Sequence, residues 1–167
     1  MTPDRDTYMT IRRAGVVEAA KLEIDSATIK GSKRVRQLWV LANDQWSERQ
    51  IWSDAARREW CGIFVLAMLH AEGLGLDVRW EIGSGFAFRL PRTNTPQPGD
   101  MFVGPPNLYH HGIVEAHYAV GERQWLASIE GNTPAVVRRD RPEPARLAYY
   151  SIQPWLDDAY EAACVTP

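Results

Sequence analysis

The chain has 167 residues, the size of one domain, and 45% of them are hydrophobic, enough to bury a core without crosslinks. A net charge of -2 argues against the broad basic surface on which non-specific nucleic-acid binding depends. Residues 1–6 are polar and acidic, unlike a secretory signal, and no stretch approaches the roughly 20 apolar residues of a membrane span. We therefore expect one domain over residues 1–167, made in the cytoplasm, without nucleic-acid binding or membrane insertion.

Helical patterns occupy the first half of the sequence. Apolar residues recur at helical spacing over 16–24, and a second apolar stretch runs over 35–46. A third helix is predicted to begin near Trp60 and to end at Gly73 and Gly75, because glycine suits the left-handed conformation of helix C-terminal caps. A short helix-like tail covers 155–164.

The pattern changes to short β-like runs after Pro98, Gly99 and Asp100. Gly121 and Glu122 are predicted to form a hairpin turn, and short turns between consecutive strands indicate an antiparallel sheet. Helices followed by strands predict an α+β fold in which the N-terminal helices pack on one face of that sheet. The candidate strands are 101–103, 109–116, 124–130, 135–139 and 148–152.

Cys61 is the candidate nucleophile. The positive end of a helix dipole and a nearby imidazole both lower the pKa of a thiol, and Cys61 opens the third predicted helix. The amides at that helix start can also donate to an oxyanion on the attacked carbonyl. The alternative is a small buried apolar residue. Cys164 lies in the C-terminal tail, and a disulfide with Cys61 is not indicated.

Two adjacent histidines, His110 and His111, are the candidate bases. Adjacent strand residues face opposite ways, so only one is expected to point at Cys61. Alternation alone does not separate them. Gly112 lies two residues from His110 on the same face and would leave room for a neighbouring helix end, which favours His110. Solvent-facing strand histidines are the alternative for both.

A third group is expected to fix the imidazole, and residues 129–133 supply two candidates. Glu130 and Asn132 share one strand face, and either can accept the imidazole N–H. The alternative is an ordinary turn after an exposed glutamate.

Adjacent histidines diverge, and the CxxC, HExxH, GxSxG and GxxxxGK[ST] patterns are missing, so neither a metal nor a cofactor is expected.

Four motifs in this order resemble the CHAP and NlpC/P60 group of cysteine amidases, within the papain-like superfamily. Residues 59–65, Glu-Trp-Cys-Gly-Ile-Phe-Val, are similar to the nucleophile helix of that group, and 98–101, Pro-Gly-Asp-Met, to the entry of its first strand. Residues 110–114, His-His-Gly-Ile-Val, and 129–133, Ile-Glu-Gly-Asn-Thr, are similar to its histidine strand and its Glu-Gly-Asn strand. The resemblance covers residues 12 to 152.

The resemblance implies a papain-like fold and hydrolysis of an amide bond in bacterial peptidoglycan, without a cofactor. It assigns Cys61 as nucleophile, His110 as base, Glu130 as orienting carboxylate and Asn132 as a polar helper. His111 takes the place usually held by valine, which keeps it as the alternative base.

Aromatic residues near the motifs are candidates for binding peptide or sugar, with core packing as the alternative: Trp52, Phe86 and Tyr109. A stand-alone domain without a secretory signal would have to reach the cell wall by another route. A phage lysin or an antibacterial effector fits this description. An effector would come with an immunity protein. Two other functions stay open. One is an intracellular acyltransferase or protein deamidase that uses the same Cys-His pair, and the other is a non-catalytic interaction domain.

Overall fold

The computed structural model describes residues 3–26, 28, 32–42, 60–80, 86–104, 110–131 and 135–165, and this part of the chain has an α+β architecture. In these described ranges, four helices accompany a six-stranded antiparallel sheet, which confirms the α+β class and the antiparallel sheet expected from the sequence. The helices are α1 (Arg5–Asp25), α2 (Lys33–Ala42), α3 (Cys61–Ala71) and α4 (Gln153–Val165), and a 3₁₀ turn covers Ala87–Arg89. The strands are β1 (Arg92–Thr93), β2 (Met101–Gly104), β3 (His110–Val120), β4 (Arg123–Glu130), β5 (Val137–Pro142) and β6 (Ala148–Tyr150).

The sheet has the strand order β1-β6-β2-β3-β4-β5, and every neighbouring pair is antiparallel. Strands β3 and β4 form a hairpin whose turn is Gly121 and Glu122, as predicted, and Gly121 has the positive φ of 61° that glycine tolerates. The register places Gly112 of β3 opposite Glu130 of β4, and His110 opposite Gly104, the last residue of β2. Histidine and glutamate are thereby brought to the same end of two central strands.

Helix α3 forms the centre of the core. Every residue from Cys61 to Leu69 is buried, because the helix packs against α1 and α2 and against strand β3. Trp60, directly before the helix, is fully buried and meets Phe64 edge to face with ring centroids 6.5 Å apart. This packing fixes where the helix begins.

Helix α1 begins earlier than its apolar pattern suggests. Asp4 acts as the N-cap, and its carboxylate accepts a 3.1 Å hydrogen bond from the backbone N–H of Thr7. At the end of α3, Gly73 and Gly75 have φ values of 73° and 62°, which confirms their predicted left-handed conformation. Within the described ranges, none of the helices combines the length and the apolar character needed to cross a membrane.

A buried ion pair joins α1 to the segment before β2. One Asp100 carboxylate oxygen lies 2.7 Å from the Arg13 guanidinium and accepts a 3.0 Å hydrogen bond from the backbone N–H of Ile152, just before α4. The other oxygen accepts from the N–H of Gln97 at 2.9 Å. Asp100 therefore fastens three separate parts of the fold, and this accounts structurally for the aspartate of the Pro-Gly-Asp motif.

Candidate functional site

Cys61 is the first residue of helix α3 and is buried beneath strand β3. The first regular hydrogen bond of the helix runs from the backbone N–H of Phe64 to the carbonyl of Trp60 at 2.9 Å. The N–H groups before Phe64 therefore have no partner within the helix. The N–H groups of the first turn and the helix dipole then place positive potential at this end of the helix. A thiolate and an adjacent oxyanion are both favoured there.

Both adjacent histidines interact with Cys61, so the expectation that only one of them points at it is wrong. The thiol hydrogen-bonds to His110 and to His111, and the Nδ1 atom of His111 lies 3.7 Å from the sulfur. The physical reason is the position of the pair at the start of β3. Alternation separates side chains along the middle of a sheet, but at its end rings from either face can extend to the same atom.

The hydrogen bonds leave the thiol acidic and His110 basic. Burial raises the pKa of Cys61, but hydrogen bonds to His110 and His111 outweigh it and lower that pKa from 9.0 to about 6. Burial lowers the pKa of His110, but its hydrogen bonds to Cys61 and Glu130 raise that pKa from 6.5 to about 9. Between these values the pair is a thiolate beside an imidazolium.

Glu130 holds the far side of the His110 ring. Its carboxylate lies 2.9 Å from His110 Nε2, which leaves Nδ1 as the ring nitrogen that can face the thiol. Burial raises the pKa of Glu130, but hydrogen bonds from His110 and Ser128 and the charge of Arg141 lower it below its usual value. The carboxylate is therefore ionised and can orient and stabilise the imidazolium.

Side chains from β4 and β5 hold this carboxylate in place. The Ser128 hydroxyl and the Arg141 guanidinium each donate to Glu130 Oε1 at 2.7 Å, and Arg139 Nε lies 3.2 Å from Oε2. The sequence reasoning missed these three residues. They could have been predicted only from the pairing of β5 with β4, which places Arg139 opposite Ser128. Without that pairing, the arginines have the pattern of charged residues on an exposed strand.

Gly112 leaves room for side chains of the site and not for the helix end that we expected from the sequence. A side chain there would meet the ring of Phe102 at 2.4 Å and the Cγ atom of Glu130 at 3.0 Å. The space beside this glycine thus belongs to Phe102 and Glu130, not to a helix end. Glycine is needed because the carboxylate must cross this position to reach His110.

The other predicted site residues divide into two groups. Asn132, Trp52 and Tyr109 lie outside the described residues. Phe86 is fully buried and stacks on His111, with centroids 5.6 Å apart and an angle of 15° between the rings. This contact favours the packing role for Phe86 over the substrate contact expected from its sequence position.

The remaining cysteine and the other histidines lie away from this centre. Cys164 is exposed on α4, His70 contacts the carbonyl oxygens of Leu41 and Gly75, and His117 pairs with Glu143 at 3.2 Å. Among the described residues, no group of three or more His, Cys, Asp and Glu side chains has an arrangement that could hold a metal ion.

The site is defined by a cysteine at a helix start, a histidine and a carboxylate. This combination can carry out nucleophilic acyl transfer. Comparison of the chain with models of protein families, with curated proteins and with solved structures finds no match in any of the three. The case for its function therefore rests on the chemistry of these side chains and on the order of the four motifs.

Proposed function

We propose that this protein is a papain-like cysteine hydrolase of the CHAP and NlpC/P60 type that cuts an amide bond in bacterial peptidoglycan. The observation that carries the reaction class is the connected series from Cys61, at the start of α3, through His110 to the carboxylate of Glu130. The substrate class comes from the resemblance of the four motifs to that group of amidases.

The reaction begins with attack of the Cys61 thiolate on the carbonyl carbon of the amide. The carbonyl oxygen becomes an oxyanion beside the amides that open helix α3, and the His110 imidazolium gives its proton to the departing amine as the C–N bond breaks. Neutral His110 then takes a proton from water, whose oxygen attacks the thioester. The acid leaves, and the thiolate and the imidazolium are restored.

Glu130 contributes by holding the imidazole in one plane and one tautomer. Its hydrogen bond to Nε2 keeps Nδ1 turned toward the sulfur and the leaving nitrogen. Arg141 and Ser128 keep the carboxylate itself fixed, so the histidine cannot swing away with its partner. Catalytic geometry is set in this way before substrate binds.

The proposal is tested by incubating wild-type protein and a Cys61→Ala variant with purified peptidoglycan sacculi and identifying released fragments by mass spectrometry. Fragments that appear only with wild type are expected, and their new termini name the bond that is cut. Sacculi of several chemotypes should be used, because stem peptides and cross-bridges differ among bacteria.

Failure on every wall type would contradict the peptidoglycan substrate. Rapid labelling of Cys61 by iodoacetamide at neutral pH would then direct the search to protein substrates, where an acyltransferase would transfer the acyl group to an amine and a deamidase to water. Slow labelling would contradict the enzyme itself and leave an interaction domain.

The pH dependence of hydrolysis is expected to be bell-shaped. Activity rises as Cys61 loses its proton near pH 6, and falls as His110 loses its own near pH 9, because the leaving amine then lacks its acid. In a Glu130→Gln variant the carboxylate that raises the His110 pKa is gone, so the basic limb moves to lower pH. Initial rates of fragment release from pH 4 to 11 measure both limbs. An unchanged basic limb in that variant would contradict the role of Glu130.

A further inference from the structure

His111 is the residue at this centre that the reaction above does not use. Its side chain is 1% exposed, although histidine is seldom buried without a partner, and its Nδ1 atom lies 3.7 Å from the Cys61 sulfur. The corresponding position in the resembling family usually carries valine, which cannot donate a hydrogen bond. The nucleophile of this chain is thus flanked by two imidazoles.

We propose that His111 is a positioning residue that donates its Nδ1–H to the Cys61 thiolate before the attack and again when the thiolate leaves the thioester. This inference rests on the proposed function, in which Cys61 is the nucleophile. It divides two tasks between neighbouring histidines. His110 transfers protons, and His111 holds the sulfur.

The surroundings of the ring favour a proton on Nδ1, the nitrogen that lies beside the sulfur. Within the described part of the chain, His111 Nε2 is buried and has no hydrogen-bond partner. A proton on Nε2 would be a buried N–H without an acceptor there, and burying an unsatisfied donor is costly. Glu130, the carboxylate that the described residues place at this pair, bonds to His110.

Aromatic packing fixes the direction of the Nδ1–H. Phe86 stacks on one face of the His111 ring at 15°, and Trp80 approaches at 70° with centroids 6.2 Å apart. Gly62, the second residue of α3, makes this approach possible, because a Cβ there would lie 2.2 Å from Trp80 and 3.3 Å from His111 Nδ1. The donor is therefore held toward the sulfur by packing.

A fixed second donor has a chemical use. When His110 gives its proton to the leaving amine, it no longer provides a positive charge beside the sulfur. The His111 N–H remains, and it can receive the sulfur again when the thioester breaks and the thiolate leaves. His111 gains and loses no proton in either step.

A matched pair of variants tests this role: His111→Asn places an amide N–H close to the position of Nδ1, and His111→Leu has nearly the same shape without a donor. Both are made in a Cys164→Ser background, in which Cys61 is the only thiol. The rate of iodoacetamide alkylation is measured from pH 4 to 10, and circular dichroism melting confirms that each variant is folded. If the leucine variant does not fold, His111→Val replaces it.

We expect the midpoint of thiol reactivity to move upward by about one to two pH units in the leucine variant, the equivalent of one hydrogen bond to a charged group. The asparagine variant should retain most of the wild-type midpoint. Equal midpoints for leucine and wild type, or equal shifts for leucine and asparagine, would overturn the proposal. The assay uses no wall material, so its result is separate from the sacculus digestion.

Discussion

Replacing His110 by alanine is expected to lower the rate of amide hydrolysis by about 10²–10⁴-fold, the usual contribution of a general acid and base. The leaving amine loses its proton donor, and the thiol loses one of the hydrogen bonds that lower its pKa. Unfolding is not expected, because Glu130 keeps Ser128 and Arg141 as partners. Fragment release from sacculi under single-turnover conditions measures the loss.

His117→Ala is the matched control for this prediction. His117 lies on the same strand and also bonds to a glutamate, Glu143 at 3.2 Å, but it has no contact with Cys61. Its rate should stay close to that of wild type. Similar losses in the two variants would show that β3 histidines support the fold rather than the reaction. A His110→Ala enzyme with nearly full activity would assign the base to His111.

The Asp100→Ala variant is expected to lose roughly 3–5 kcal/mol of unfolding free energy, the cost of breaking a buried ion pair by removing one partner. Arg13 would remain buried without its carboxylate, and the N–H groups of Gln97 and Ile152 would lose their acceptor. Such a loss is a large part of the stability of a small domain. Denaturation by urea at neutral pH measures it.

Asp157→Ala provides the comparison for an exposed pair. Asp157 bonds to Arg5 at 2.6 Å, but the side chains are 34% and 56% exposed, so solvent screens them. The expected change is below about 1 kcal/mol. If Asp100→Ala were no more destabilising than Asp157→Ala, the Pro-Gly-Asp segment would not fasten the fold as described.

The helical half of the fold could be predicted because its signals are local. The start of α3 after Trp60 and the glycines that end it are readable from residue type alone. The start of α1 was missed because the apolar spacing begins later than the helix does. The capping aspartate, Asp4, was the signal that could have found it.

The strand boundaries could not be predicted where pairing overrides the pattern. β3 continues to Val120 rather than ending at 116, because a register shift between Val114 and Ala116 breaks the period of two. β5 runs over Val137–Pro142 and not over 135–139. Its polar residues adopt the strand conformation because they pair with β4. β1 is two residues long and was not predicted at all.

The candidate site could be predicted as far as it depends on motif order. Cys61, His110 and Glu130 come together at one end of the sheet, whereas the supporting contacts of Arg139 and Arg141 depend on the register of two strands. Contact of both histidines with the thiol could not be predicted from strand alternation, because alternation is weakest at the first residues of a strand.

We expect Cys61 to be a thiolate at neutral pH because of the histidines beside it. In the Cys164→Ser protein, the pH dependence of iodoacetamide alkylation measures this directly, with the labelled residue located by peptide mass mapping. We expect a midpoint near pH 6, well below the ordinary thiol pKa of 9.0. A midpoint near 9 would contradict it, because the thiol would then lack the activation that every step proposed here requires.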